Sequence, residues 1–461
     1  MASGQFKAIK DHLRALRDVS EVANGTSGKV VHEVTSDGQV YFGANSDAGN
    51  TDETAKLPST VALVWRWTGD NRFRDEMYRF SVRNLHYIFR ELDDDEDGWP
   101  EGLGNVERDG MGEEKLDNTV YTIRGLRDLA DMAASKGDRA TARWANGKAA
   151  RMESRFDSTW WLGSSGRQYA DSLDDPGDTK VFQRHWTGVT PAEVEIRRPD
   201  RPVGPLAPLG HARALVEQRE TRCYNGRYGL FHTGTGATTA PGGNRGASCD
   251  TARSTVQSER AVFTLNTAIM AVAEAALGRM AGTQLRRYTT GNALVQVDPS
   301  VWEIPGAMPE IAPSPDFGAN IDKLFTERSS ALQAWGAYGI LWPVVHHQLG
   351  VSPDAGRKRF TVVPQIPSGR YKVAGRDIRV GTGQVDVTAL RGNNRLETVV
   401  RQNRRYLLTV GTLLPAGKHV AAVTVNGRKV TYRVLSTARG REVRVNGGRG
   451  VGRTDLVVTL R

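Results

Sequence analysis

The chain has 461 residues, more than one ordinary hydrophobic core holds, so we expect a large domain and a smaller one. Its 39% hydrophobic and 25% charged residues are typical of a globular protein, which excludes a collagen-like or disordered chain. The net charge of +10 is concentrated at the carboxyl end: from Lys358 onward 21 lysines and arginines face five acidic residues, so residues 1–357 carry about −6.

This distribution of charge and apolar residues limits the partners. An acidic larger part suits a neutral substrate better than nucleic acid, and the single arginines of the basic end suggest a solvated sheet face. No apolar run approaches the roughly 18 residues of a membrane span, and residues 1–4 lack the regions of a secretory signal. We therefore expect no nucleic acid, no membrane and a cytoplasmic location, with secretion as the alternative if the chain is truncated.

The two cysteines give a weak signal. Cys223 and Cys249 cannot form a disulfide framework, and no Cys/His cluster near them indicates zinc. We expect free thiols, with a single disulfide as the alternative.

Helical periodicity runs through the first 350 residues. Tight turns such as Gly69-Asp70-Asn71 alternate with long loops rich in glycine and acidic residues, which predicts antiparallel helix pairs with the long loops at one end. A hairpin is predicted at 29–42, and 163–206 is predicted to be irregular. The predicted helices are at about 5–23, 55–68, 72–91, 117–135, 139–160, 211–219, 258–278, 283–294 and 327–348.

Beyond about residue 355 the hydrophobic period changes from 3.6 to 2. Nine short alternating segments between 360 and 460 predict strands, and Asn426-Gly427 between two of them is typical of a tight hairpin. The sequence thus predicts a helical domain at 1–355 and a β-sandwich domain at 356–461.

Residues 97–118 combine carboxylates, a tryptophan and glycines just before a predicted helix. This composition favours a cleft that handles a polar substrate, and an acidic surface loop is the simpler alternative. We expect no metal and no cofactor, because Asp93–Asp97, although acidic, does not match the ligand spacing of an EF-hand-type loop.

Four short motifs carry a resemblance to a known family. They are Asp-Gly-Trp-Pro-Glu-Gly at 97–102, Glu-Glu-Lys-Leu-Asp-Asn at 113–118, Met-Pro-Glu-Ile at 308–311 and Leu-Gln-Ala-Trp-Gly at 332–336. With them the chain resembles the six-hairpin (α/α)6 glycoside hydrolases, in particular bacterial glycogen debranching or amylo-α-1,6-glucosidase proteins, over nearly its whole length. The resemblance implies a mainly α fold, an (α/α)6 toroid of twelve helices with a C-terminal antiparallel β-sandwich. Family members usually have a β-domain before the helices, so this chain is expected to be a fragment or a short variant.

The resemblance also implies two catalytic carboxylates that cleave a glycosidic bond with inversion. The family's acid segment matches 114–118, which makes Asp117 the expected general acid, and its base segment matches 310–311, which makes Glu310 the expected general base. An aspartate at a helix N-terminus normally has its pKa lowered, so a neighbouring carboxylate or burial has to keep Asp117 protonated.

The alternatives for these roles are specific. Asp117 could be a simple N-cap, with Glu101 or Glu107 as the acid. Glu327 is the rival base. The carboxylates expected to raise the pKa of Asp117 are Glu101, Glu113 and Glu114.

A further set of residues is expected to bind the sugar. Tryptophan faces stack on sugar rings, whereas carboxylates, histidine and arginine bond to hydroxyl groups; core packing and helix capping are the alternatives for each. The expected substrate-binding residues are Asp52, Glu53, Trp65, Trp99, Glu101, His232, Arg260 and Trp335.

The expected function is therefore an inverting glycoside hydrolase that acts from chain ends on α-glucosidic, including α-1,6 branch, linkages of an oligo- or polysaccharide. The alternatives are another (α/α)6 glycosidase of α-rhamnosidase type, a polysaccharide lyase, and a glycan-binding protein without catalysis. A lyase acts on an acidic sugar, which the acidic helical region disfavours.

Overall fold

The computed structural model describes both the helical region and the C-terminal sheets. The described residues are 1–35, 37–44, 47, 51–106, 110–163, 166–226, 228–239, 246, 248–249, 261–280, 282–295, 306, 310–312 and 335–461.

Helices dominate the described part of the first 350 residues. They are α1 (Phe6–Asn24), α2 (Thr51–Thr68), α3 (Asn71–Glu91), α4 (Leu116–Lys136), α5 (Arg139–Trp160), α6 (Thr190–Glu193), α7 (Leu209–Arg219), α8 (Thr264–Ala276), α9 (Gly282–Gln284), α10 (Gly291–Val295) and a last helix, Trp335–Trp342. A π-helical stretch, Leu285–Thr290, joins α9 to α10, and a second one, Pro343–Gln348, extends the last helix. Fewer helices than the twelve of a full toroid therefore lie within the described ranges.

The tight turns between helices form as the sequence predicts. Asp70 caps α3 by accepting a hydrogen bond from Phe73 N at 3.0 Å, and Asp138 caps α5 by accepting one from Thr141 N at 3.0 Å. Gly137 takes the left-handed conformation that ends α4. These caps make α2 and α3, and α4 and α5, antiparallel pairs.

The inner helices pack on one another in succession. α2 contacts α4, α4 contacts α6, α6 contacts α8, and the last helix packs on α8. Because α3 returns the chain between α2 and α4, those two inner helices run parallel and begin at the same end of the molecule. α8 is almost entirely buried, as expected for a helix that is apolar all round.

Short strands connect the helices on the side where the inner helices begin. They form two-stranded pairs and one three-stranded sheet, β3-β4-β5, in which two strands come from the region predicted to be irregular. The strands are β1 (Glu33–Val34), β2 (Val40–Phe42), β3 (Glu114–Lys115), β4 (Ser172–Asp174), β5 (Thr179–Val181), β6 (Asn225–Gly226), β7 (Gly229–Leu230), β8 (Val262–Phe263) and β9 (Ile311–Ala312).

The C-terminal part forms two sheets, in the strand orders β10-β11-β15-β19-β18 and β12-β13-β14-β20-β16-β17. All pairs are antiparallel except β11 with β15, which is parallel. The strands are β10 (Val351–Asp354), β11 (Arg359–Val362), β12 (Lys372–Val380), β13 (Gly383–Arg391), β14 (Arg395–Gln402), β15 (Leu407–Leu413), β16 (Val420–Val425), β17 (Arg428–Lys429), β18 (Arg433–Thr437), β19 (Gly440–Arg449) and β20 (Gly452–Leu460).

The sheets contain the hairpin that the sequence predicts, and they share a hydrophobic core with α2 and the last helix. Asn426 and Gly427 both have positive φ, 49° and 78°, and connect β16 to β17 in the predicted tight hairpin. Trp67 of α2 and Trp342 of the last helix belong to the same hydrophobic core as the sheets. The helices and sheets thus share buried surface, and the division into two domains at residue 355 stays a prediction.

Cys223 and Cys249 form a disulfide bond, so the expectation of free thiols is wrong and its alternative holds. The bridge links residues 26 apart in sequence. Sequence spacing alone does not show that two isolated cysteines lie within bonding distance. Within the described ranges, none of the helices combines the length and the apolar character that crossing a bilayer requires.

Candidate active site

Asp117 is the second residue of α4, and only 1% of its surface is exposed. The residue before the helix is Lys115, whose side chain makes no capping bond. Asp117 is therefore not the N-cap. Its Oδ2 accepts hydrogen bonds from Asn105 N at 2.8 Å and Asn105 Nδ2 at 2.7 Å, while Oδ1 has no partner among the described residues.

The loop that ends in Asn105 approaches this carboxylate closely because residue 104 is glycine. A Cβ atom at Gly104 would lie 2.9 Å from Asp117 Oδ1 and 3.1 Å from Oδ2, so a side chain there would push the carboxylate out of place. The stretch that stood out in the sequence is thus packed directly against the expected acid.

Asp52 and Lys56, one turn apart on α2, complete the surroundings of Asp117. Asp52 is 3% exposed, and its Oδ2 accepts a hydrogen bond from Lys56 Nζ at 2.9 Å. Lys56 Nζ also donates to Asn105 Oδ1 at 2.8 Å. Burial raises the pKa of Asp117, and the negative charge of Asp52 raises it further, against the hydrogen bonds from Asn105. The site therefore favours a protonated Asp117, the form that a general acid needs.

The carboxylates expected to raise the pKa of Asp117 lie elsewhere. Glu113 is exposed, and the carboxylate of Glu101 accepts hydrogen bonds from Asp94 N at 3.1 and 3.2 Å. Glu114 belongs to a separate acidic cluster in which burial, then Asp175 and Asp97, raise the pKa of Glu114 to about 9. The expectation that these three act on Asp117 is wrong, because Asp52, 65 residues away in sequence, is the charged neighbour instead.

Glu53, next to Asp52, forms a hydrogen bond with the side chain of His32. Its Oε1 lies 2.6 Å from His32 Nδ1. This hydrogen bond, opposed by burial, raises the pKa of His32 to about 9. Burial would raise the pKa of Glu53 in turn, but the hydrogen bond from His32 lowers it. The pair fixes the start of α2, and with it the position of Asp52.

The His32–Glu53 pair predicts a loss of stability at alkaline pH. Since the folded protein holds the His32 proton more tightly than the unfolded chain does, the pair contributes fully below pH 6.5 and its contribution disappears as the pH rises through about 9. Urea unfolding at pH 6.5 and pH 9.5 should show a drop in the free energy of unfolding that is smaller in His32→Gln. An equal drop in the two proteins would contradict the assignment.

A cavity of about 300 Å³ is lined by residues of α2, α4, α6, α8 and the last helix, together with Met1 and Ile9. Lys56 is common to this cavity and to the Asp52–Asp117 group, which places that group at its edge. Tyr338 of the last helix donates a hydrogen bond to Glu193 of α6, and burial raises the pKa of Glu193 against the charge of Arg124. Sequence reasoning missed Lys56, Tyr121, Arg124, Glu193 and Tyr338, all of which line the cavity.

Some signal for these residues exists in the sequence. Lys56 follows Asp52 by four residues on a predicted helix, the spacing of a favourable charge pair. Glu193 lies in a four-residue helix within the segment predicted to be irregular, so no periodic pattern marks it.

Glu310, the expected base, lies directly before β9 and contacts the first residue of α8 through its backbone. Its carbonyl oxygen accepts a hydrogen bond from Thr264 N, the first residue of α8, at 2.9 Å, and β9 after it pairs with β8. His232 is 7% exposed, its backbone N donates to Ala261 O at 2.7 Å, and its ring lies 4.4 Å from that of Phe263. Asp117 and Glu310 thus each stand at the N-terminus of an inner helix.

Two of the expected sugar-stacking tryptophans are core residues. Trp65 is fully buried, bonds through Nε1 to Asn71 Oδ1 at 2.8 Å, and has Arg74 and Arg357 over its ring at 5.2 and 4.8 Å. Its assignment to substrate binding is wrong, because neither face is open.

Trp99 is likewise fully buried, with Arg155 over its ring at 5.0 Å and the edge of Trp160 against it. Its assignment to substrate binding is therefore also wrong. Trp335, by contrast, begins the last helix and is partly exposed. Arg260, Glu107 and Glu327 lie outside the described residues.

The chain is similar in structure to several glycoside hydrolases. An α-L-rhamnosidase from Dictyoglumus thermophilum aligns with a TM-score of 0.56 at 14% identity, over 100% of this chain and 46% of that one. A GH78 family rhamnosidase of Bacillus sp. GL1 aligns with a TM-score of 0.57 at 17% identity, over 90% and 37%. The α-L-rhamnosidase of Streptomyces avermitilis, solved with L-rhamnose, aligns with a TM-score of 0.53 at 15% identity, over 97% and 36%.

These alignments bear on the fold and on the expected relatives. At such identities they show a fold similar to that of six-hairpin (α/α)6 glycosidases, and this chain spans less than half the length of the three proteins. No protein-family model and no curated protein matches the sequence, so the expected likeness to glycogen debranching enzymes gains no support.

Proposed function

We propose that the chain is a glycosidase that hydrolyses an oligo- or polysaccharide, with Asp117 as the general acid. The observation that carries this proposal is the state of Asp117: it is buried, its Oδ1 has no hydrogen-bond partner among the described residues, and burial with the nearby Asp52 raises its pKa. Burial and the charge of Asp52 shift this carboxyl group toward its protonated form, from which it can donate a proton to a leaving oxygen.

Glu310 is the base in this proposal. Its backbone bonds to the first residue of α8, and Asp117 is the second residue of α4, so each candidate carboxylate lies near the N-terminus of a helix that lines the cavity. Inversion requires the two carboxyl groups to be roughly 6.5–9.5 Å apart, with a water molecule between the base and the sugar. Asp117 protonates the departing oxygen while Glu310 takes a proton from that water.

The proposed substrate is an α-L-rhamnoside, because three proteins of similar fold are rhamnosidases. The second candidate is an α-glucoside, which the motifs at 113–118 and 308–311 favour through their resemblance to debranching enzymes. Aryl α-L-rhamnosides and α-D-glucosides assayed side by side should distinguish the two. Sugar binding without turnover of either substrate would indicate a glycan-binding protein and contradict the proposal.

Glu310→Gln is expected to lower kcat by about 10²–10⁴-fold, with the same loss for good and poor leaving groups, because activation of water is needed in every case. Sodium azide, a nucleophile that needs no base, should restore turnover in this variant and give a glycosyl azide of inverted configuration. Nuclear magnetic resonance of the wild-type product supplies the control, since the first sugar released should also be inverted. Retention, or wild-type activity of Glu310→Gln, would exclude Glu310 as the base.

The Cys223–Cys249 bridge bears on the compartment in which the protein acts. Disulfides persist in oxidising compartments and are rare in the cytosol. We therefore propose an exported location in place of the cytoplasmic one. Titration of free thiols in protein purified from its native source tests this: two thiols per chain would contradict it.

A further inference from the structure

A second group of carboxylates lies next to the proposed active site but separate from it. It comprises the loop after α3, Glu114 of β3, and the turn between β4 and β5. Its carboxylates form three sets of three residues. In each set, one carboxylate oxygen from every residue lies within 4.8 Å of the corresponding oxygens of the other two residues. The sets are Asp93, Asp95 and Asp97; Asp95, Glu114 and Asp175; and Asp97, Glu114 and Asp178.

Glu114 distinguishes this group from an acidic surface loop. It is 0% exposed, and neither Oε1 nor Oε2 has a hydrogen-bond partner in the described part of the chain. Oxygens of its carboxylate lie within 4.8 Å of carboxylate oxygens of Asp95 and Asp175 in one set and of Asp97 and Asp178 in another. A buried carboxylate without hydrogen-bond donors either keeps a proton or requires an opposite charge beside it. A nearby cation is Arg155 of α5, which donates a hydrogen bond to the carbonyl oxygen of Asp97 at 2.6 Å and lies 3.5 Å from its carboxylate.

We propose that Glu114, with Asp95, Asp97, Asp175 and Asp178, binds calcium. Calcium is held by six to eight oxygens at about 2.3–2.6 Å, so two oxygens on the same ion are at most roughly 5 Å apart, as the oxygens in these sets are. The ligands are carboxylates alone, which favours a hard cation over zinc or copper.

The loop itself has the form of a calcium loop. Asp93, Asp95 and Asp97 alternate and are followed by Gly98, which matches the first six residues of an EF-hand loop. Gly98 has a φ of 94°, and its N donates to Asp93 Oδ1 at 2.8 Å. The interpretation from the sequence that Asp93–Asp97 does not match the ligand spacing of an EF-hand-type loop is therefore wrong. The twelfth position, a glutamate in EF-hands, is Gly104 here, and the buried carboxylate comes instead from Glu114 on a distant strand.

The position of this site connects it to Asp117. Glu114 is three residues before Asp117, and β3 leads directly into α4. Asn105, which holds Asp117 Oδ2, follows the acidic loop, and Glu101 forms a β-bridge with Glu114. An ion between loop and strand therefore fixes the two segments that orient the carboxylate. The effect on hydrolysis rests on the proposed function, whereas the binding of calcium does not.

Isothermal titration calorimetry on the whole chain, after removal of metal with EDTA, tests the proposal with calcium chloride and, separately, magnesium chloride. We expect the wild-type protein to bind calcium and to gain thermal stability with it, and Glu114→Gln to bind at least tenfold more weakly. Glu96→Gln is the matched control, because Glu96 is an exposed carboxylate of the same loop that belongs to none of the three sets. It should bind like wild type.

Asp95→Asn provides a second variant in case Glu114→Gln does not fold, since Asp95 is exposed and its replacement leaves the core untouched. It too should weaken calcium binding without changing the circular dichroism spectrum. The proposal is overturned if the wild type shows neither heat nor a shift in Tm with calcium, if it binds magnesium as tightly, or if Asp95→Asn or folded Glu114→Gln binds like wild type. Calcium binding by a protein that hydrolyses no glycoside would contradict only the proposed function.

Discussion

Asp117→Asn is expected to lower kcat for natural-type glycosides by about 10²–10⁴-fold while the protein stays folded. The amide of asparagine can still accept the two bonds from Asn105, so the loop keeps its place. It cannot donate an acidic proton to the leaving oxygen. The amide is neutral, so burial beside Asp52 does not penalise it as it penalises an ionised carboxylate, and we expect no fall in Tm.

The leaving group separates a catalytic role of Asp117 from a positioning one. A 2,4-dinitrophenyl glycoside departs without protonation, so the variant should hydrolyse it at close to the wild-type rate, whereas 4-methoxyphenyl or methyl glycosides should show the full loss. Asp94→Asn, which removes an exposed carboxylate of the neighbouring loop, serves as the control and should leave both rates unchanged. An equal loss on all substrates would mean that Asp117 only shapes the site.

The sequence identified Asp117 but not the group that sets its chemistry. A local motif marks the start of α4, and period-two alternation marks the C-terminal strands, because both are properties of neighbouring residues. The effect of Asp52 on the pKa of Asp117 acts between residues 65 apart in sequence and depends on how α2 packs on α4. The sequence of neither helix, taken alone, predicts how α2 and α4 pack together.

The tryptophans show that the sequence also overestimates the number of binding residues. Trp65 and Trp99 lie near the acidic segments in sequence, and an aromatic side chain is equally suited to stack on a sugar or to fill a core. Which of the two occurs is decided by Arg74, Arg155 and Arg357, which cover the rings in the folded protein. Glu193 was missed because a four-residue helix has no periodic pattern to detect.

The second large effect is expected at a buried ion network that ties the inner helices to the C-terminal sheets. Arg66 of α2, 3% exposed, lies 2.7 Å from Asp128 Oδ1 and donates from Nη2 to Asp131 Oδ2 at 2.6 Å. Arg357, in the turn before β11, donates to Asp131 Oδ1 at 2.6 Å. Burial alone would raise the pKa of Asp131, but Arg66 and Arg357 hold it below its usual range.

Arg66→Met should therefore lower the free energy of unfolding by about 3–5 kcal/mol, because within the described ranges it leaves Asp128, 2% exposed, with a single ion pair, to Arg124 at 3.6 Å. Urea unfolding measures this, with Arg395→Met as the control: Arg395 pairs with Glu397 on an open sheet surface and should change stability by about 0–1 kcal/mol. Adding Asp131→Asn to Arg66→Met should cost less than the sum of the two single changes, since each removes the partner of the other. Additive losses would show that the network is not a unit, and that the helices and sheets are held together by the shared apolar core around Trp67 instead.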